Sequence, residues 1–78
     1  MTSAQAKEAI RDLCSPFTVY ELKKANKAVK SHFGNKLIQM EKTEDEMSTI
    51  MWYEISTDEY PAGEDIGFDF WNHRIAEY

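Results

Sequence analysis

Residues 43–56 read TEDEMSTIMWYEIS, and this stretch decides the fold. Thr43 to Glu46 has the form of a capping box, a hydroxyl three residues ahead of a carboxylate. Glu44 and Asp45 are favourable near the positive end of a helix dipole. Met47, Ile50, Met51 and Ile55 then recur at helical spacing. Trp52 and Tyr53 extend the apolar surface round the sides. Read this way, the segment is a capped amphipathic helix, and it predicts an all-α protein.

The flanking sequence extends that expectation. Thr57 to Gly63 reads as a loop, punctuated by Pro61 and Gly63. Glu64 and Asp65 open a last helix, with Phe68, Trp71, Ile75 and Tyr78 on one stripe and Ile66 and Phe70 on another. Gly67 inside it costs roughly 1 kcal/mol against alanine, so this helix depends on tertiary or partner contacts. Upstream, Ala6, Ala9, Ile10, Leu13 and Cys14 make a full apolar stripe. Ser15-Pro16 ends that helix, because proline disfavours a helical residue before it. Thr18 to Glu21 is another capping box, with Phe17 placed to staple onto Leu22. Val19, Leu22, Ala25, Val29 and Phe33 line one side of the second helix, and Gly34 supplies its left-handed cap. Leu37 to Lys42 suits either a short helical turn or a brief extended stretch. The expected architecture is one domain, residues 1–78, of about four short helices. There is no internal repeat, low-complexity tract or linker.

A chain of 78 residues has room for one domain and is marginal without a disulfide, a metal or oligomerisation. A single cysteine, Cys14, excludes an internal disulfide and points to a reducing compartment. The opening residues lack the apolar run of a signal peptide or membrane span, so a cytoplasmic protein is expected, without a membrane partner. The formal net charge of −5 argues against nucleic acid, whose binders present a basic footprint. The charge is divided: residues 1–40 carry seven basic and three acidic side chains, and residues 41–78 carry two basic and eleven acidic ones. Lys23, Lys24, Lys27 and Lys30 read as a solvated helix face. The division also permits head-to-tail contact between copies.

Catalytic chemistry has little support. Cys14 lies on an apolar stripe, where an inert buried thiol is expected. His32 closes a lysine-rich helix, where a cation suits the C-terminus. His73 follows Asp69 at i+4, the spacing of a hydrogen-bonded helical pair. These three residues lack metal-ligand spacing. The glycines Gly34, Gly63 and Gly67 form no phosphate loop. The expectation is no catalytic residue, no cofactor and no metal.

The surplus of large apolar residues points to binding instead. Trp52, Tyr53, Phe70 and Trp71 exceed what one stripe per helix needs, and aromatics and methionine are enriched at interface centres. The candidate partner-binding residues are Met47, Met51, Trp52, Tyr53, Tyr60, Phe70 and Trp71. Trp52, off its stripe, is the expected exposed anchor, and Trp71 is expected in the core. Homo-oligomerisation is a second expected use of this surface.

The order of segments carries a resemblance. A helix, VYELKKANKAVKSHFG, leads through a short apolar link to an acidic cap, TEDEM. There follow an apolar helix, IMWYEIS, a proline loop, DEYPAGED, and an aromatic tail, IGFDFW. Over residues 18–72 this resembles the small tail assembly chaperones of long-tailed bacteriophages. The resemblance implies an α-helical protein of the host cytoplasm that keeps the tape-measure protein soluble during tail assembly. Apolar client helices would dock on the aromatic and methionine surface. The alternative is a small acidic inhibitor or decoy that blocks a basic site on a host enzyme or nucleic-acid-binding protein. A catalytic or nucleic-acid-binding use of the lysine helix ranks last.

Overall fold

The computed structural model describes residues 1–14, 22–44 and 49–76, the side chains of residues 40–44 and 49 excepted. Helix α1, Ser3–Leu13, and helix α2, Leu22–Phe33, form where the apolar stripes predict them. Thr2 caps α1. Its hydroxyl accepts from the Gln5 amide at 3.1 Å, and the Gln5 side-chain oxygen accepts from the Thr2 amide at 2.8 Å. This reciprocal box satisfies two orphan donors. The capping box at Thr18 to Glu21, with Ser15, Pro16 and Phe17, lies outside the described residues. Gly34 follows Phe33 with φ +50°, a left-handed value that glycine adopts without penalty. A single 3₁₀ turn, Gly34–Lys36, then leads into extended chain.

From there the all-α expectation fails. Leu37–Glu44 is strand β1, Thr49–Ile55 is β2, Glu64–Asp69 is β3 and Arg74–Ala76 is β4. They form one antiparallel sheet in the order β1-β2-β3-β4. The protein is therefore a mixed α and β fold, two helices followed by a four-stranded meander. The supposed capping box at Thr43 ends in the strand at Glu44, and its remaining residues, with Met47, lie outside those described.

The physical reason is a period of two. In β2, Met51, Tyr53 and Ile55 are buried, while Ile50, Trp52 and Glu54, which alternate with them, are only partly so. Alternation of this kind belongs to a strand. The stretch is also rich in β-branched and aromatic residues, which fit a pleated surface. The supposed last helix is the hairpin β3–β4. Its four-residue turn, Phe70–His73, places His73 at φ +49°.

The two faces of the sheet differ. Met51, Tyr53 and Ile55 share the inner face with Ile66, Phe68 and Ile75, as the register requires. Against them pack Ala6, Ile10 and Cys14 of α1 and Ala25, Val29 and Phe33 of α2, in one continuous core. The Tyr53 hydroxyl donates to the Asn26 side-chain oxygen and so ties α2 to the sheet. Two further ties fix α1. Ser3 donates its hydroxyl to Glu64 at 2.7 Å and its amide to Glu59 at 2.6 Å. The second oxygen of Glu64 accepts from buried Thr57 at 2.7 Å. At the other end of α1, His73 Nε2 lies 2.9 Å from the Arg11 carbonyl, one of the last-turn carbonyls that lack a partner within a helix. His73 is thus a cap on a neighbouring helix, where the sequence suggested a pair with Asp69.

No helix among the described residues is long and apolar enough to cross a membrane.

Candidate binding surface

The outer face of the sheet carries no helix among the described residues. Register sorts its side chains into rows. Glu54 of β2 stands directly opposite Asp65 of β3. In the next row Trp52 stands opposite Gly67, which pairs in turn with Ala76. In the third, Ile50 stands opposite Asp69, which pairs with Arg74. Like charges set directly opposite each other destabilise a sheet, so the Glu54–Asp65 row is electrostatically unfavourable as it stands. Among the described residues no cation lies within ion-pair distance of either carboxylate.

Trp52 is the centre of this face. A cleft of about 290 Å³ opens beside it, where β4 meets the β3 edge. Trp52, Gly67, Ala76 and Ile75 supply apolar walls, with Asp65 and Lys7 as charged groups. The cleft joins an indole, a carboxylate and an ammonium in one concave place.

Asp69 adds a buried carboxylate. It is 3% exposed. Its Oδ2 accepts from the Asn72 side-chain amide at 2.9 Å and lies 3.4 Å from Arg74 Nε. No donor among the described residues reaches its buried Oδ1. A buried acceptor left unmade carries a free-energy cost.

The seven candidate partner-binding residues are not brought together. Met51, Tyr53 and Phe70 are fully buried in the core, out of reach of any partner in the folded chain. Trp52 is half-buried on the outer face. Tyr60 and Trp71 are each 57% exposed, but at opposite ends of the sheet. Tyr60 lies in the β2–β3 loop, Trp71 on the β3–β4 turn with its ring edge-on to Phe70. Met47 lies outside the described residues. The expected core position for Trp71 is thus corrected: a turn of four residues projects it outward.

Three groups with reactive chemistry have structural places. Cys14 is fully buried, and burial pushes its thiol up to about 12, so the nucleophilic thiolate is absent near neutral pH. Tyr53 is also held above its usual range, by burial first and by the adjacent Cys14 second. The His73 ring is committed to the Arg11 carbonyl and meets Phe68 edge-on at 5.6 Å.

No protein-family model, no curated protein and no solved structure matches the chain. The carboxylate row at Glu54 and Asp65 was missed in the sequence because a helical reading separates these residues. Only a strand period makes them neighbours.

Proposed function

We propose that this chain is a non-enzymatic binding protein whose outer sheet face takes a basic partner. That is the class of small acidic inhibitors or decoys, which cover a basic site on an enzyme or a nucleic-acid-binding protein. The observation that carries the reading is the Glu54–Asp65 row beside Trp52. Two facing carboxylates cost stability in the free chain. A lysine or arginine between them turns that repulsion into attraction. Glu54 and Asp65 stand on the outer face with no cation in ion-pair distance among the described residues, a local field that favours a basic surface there. A role without catalysis is supported by the burial of Cys14 and the structural bond of His73.

Binding of a fluorescent oligo-arginine peptide tests this. Affinity should fall steeply from about 0.05 to about 0.5 M salt, as screening requires. Glu54→Gln with Asp65→Asn should weaken it about tenfold or more. Salt-independent binding, or equal binding by the double variant, would rule out this face as the site.

The tail assembly chaperone is the second reading. It is supported by the two exposed aromatics, Tyr60 and Trp71, and by the segment order that resembles that family. It now needs a mechanism without an aromatic helix, since Met51 and Tyr53 are core residues of a strand. A client peptide of apolar helical sequence that binds equally well at high salt, and less well to Trp71→Ala, would favour it.

A further inference from the structure

The charge division of the sequence becomes a division of surfaces. Helix α2 turns Ala25, Val29 and Phe33 into the core. Lys23, Lys27 and Lys30, at i, i+4 and i+7, form one exposed stripe away from it, with Lys24 alongside. The helix contains no acidic residue. The two helices cover the inner face, so this stripe and the carboxylates of the outer face lie on opposite sides of the molecule.

We infer that the basic partner of the outer face includes a second copy of this chain, docked head to tail by its α2 lysine stripe. The inference rests on the binding reading above and names an occupant for that site. Charge complementarity and one spacing match support it. Side chains at i and i+4 of a helix start about 5–6 Å apart, as Lys23 and Lys27 do. Directly opposed residues on neighbouring strands start about 4.5–5.5 Å apart, as Glu54 and Asp65 do. An α2 helix laid across β2 and β3 therefore sets two ammonium groups on the Glu54–Asp65 row.

The two surfaces are different, so the contact is heterologous. It does not close by a two-fold axis, and copies add in series. Each added copy covers one acidic face and leaves one free.

Light scattering at about 0.05 M salt is the test, with oligo-arginine binding measured in parallel. The wild-type mass should rise with concentration past that of a dimer and return to the monomer mass at about 0.5 M salt. Lys23→Gln with Lys27→Gln breaks only the stripe. Glu54→Gln with Asp65→Asn breaks only the sheet face. Each double variant alone should remain monomeric. Mixed one to one, they should give a particle of twice the monomer mass and nothing larger, because one intact stripe meets one intact sheet face. The stripe variant changes only exposed residues, so its folding is not in question. A wild type that stays monomeric at every concentration, yet binds oligo-arginine with steep salt dependence, overturns the second copy and leaves the basic-partner reading standing. A monomer that also ignores oligo-arginine overturns both. Self-association that survives in the stripe variant overturns the head-to-tail contact.

Discussion

The six-membered ring of Trp52 occupies the space above Gly67 where a side chain would begin. A Cβ built on Gly67 would stand 2.6 Å from Trp52 Cζ3 and 2.7 Å from Cη2. The two residues are direct cross-strand partners. The indole covers the bare backbone of β3, and the glycine lets the indole lie down on the sheet. Glycine weakens a strand interior by entropy and by lost packing, and an aromatic laid across it offsets part of that loss.

Gly67→Ala should therefore destabilise the chain, although alanine usually suits a strand better than glycine. The added methyl drives the indole off the sheet, an overpacking cost of about 1–3 kcal/mol. Urea denaturation measures the loss. A red shift of tryptophan emission in the native state should accompany it, because Trp52 moves toward water.

Trp52 and Trp71 should reverse the order that a helical reading assigns them. Trp52→Ala uncovers Gly67 and part of the outer face, and should cost about 2 kcal/mol of stability. Trp71 sits exposed on a turn, and Trp71→Ala should cost less than about 1 kcal/mol, the scale of its edge-on contact with Phe70. Denaturation midpoints of the two variants decide the order.

The buried thiol makes stability fall in alkali. Cys14 is pushed up to about 12 in the folded chain, against about 8.5 when unfolded. Its contribution is complete below about pH 8 and is lost as pH rises toward 12, because the unfolded chain releases its proton first. Tyr53, also raised, acts with the same sign above its ordinary value of about 10. The slope from each group is at most about 1.4 kcal/mol per pH unit. Urea midpoints from pH 8 to 11 should fall in the wild type, and Cys14→Ala should remove most of the fall below about pH 10. At neutral pH the same variant should cost about 1–2 kcal/mol from lost packing. Native Cys14 should resist iodoacetamide until urea opens the fold.

His73 should matter for stability and not for binding. His73→Ala deletes the bond to the Arg11 carbonyl and the contact with Phe68, a loss of about 1–2 kcal/mol. His73→Gly should lose less, because glycine relaxes the left-handed φ of this turn position. Oligo-arginine affinity should be unchanged in both.

Much of the first half was legible. The stripe Ala6, Ile10, Cys14 and the stripe Ala25, Val29, Phe33 are helical periods with no competing reading, and both helices form on them. The stop at Gly34 was equally plain. The cap of α1 has its signal too, a threonine three residues before a glutamine, Thr2 and Gln5. The sequence also carried the division of charge and the lone thiol.

The second half satisfied two periods at once. Met47, Ile50, Met51 and Ile55 fit a helix, while Met51, Tyr53 and Ile55 fit a strand. Phe68, Trp71 and Ile75 fit a helix, while Ile66 and Phe68 fit a strand. A short apolar run does not decide between them, because either period buries a comparable set of side chains. What decided was the partner surface. Two short helices present a flat apolar layer through Ala6, Ile10, Ala25 and Val29, and a pleated sheet covers that layer with one face. Only then do Glu54 and Asp65, eleven residues apart in the chain, become neighbours, and only then does Trp52 meet Gly67. Helical stripes follow from local spacing alone, whereas strand neighbours are fixed by register, which tertiary packing sets.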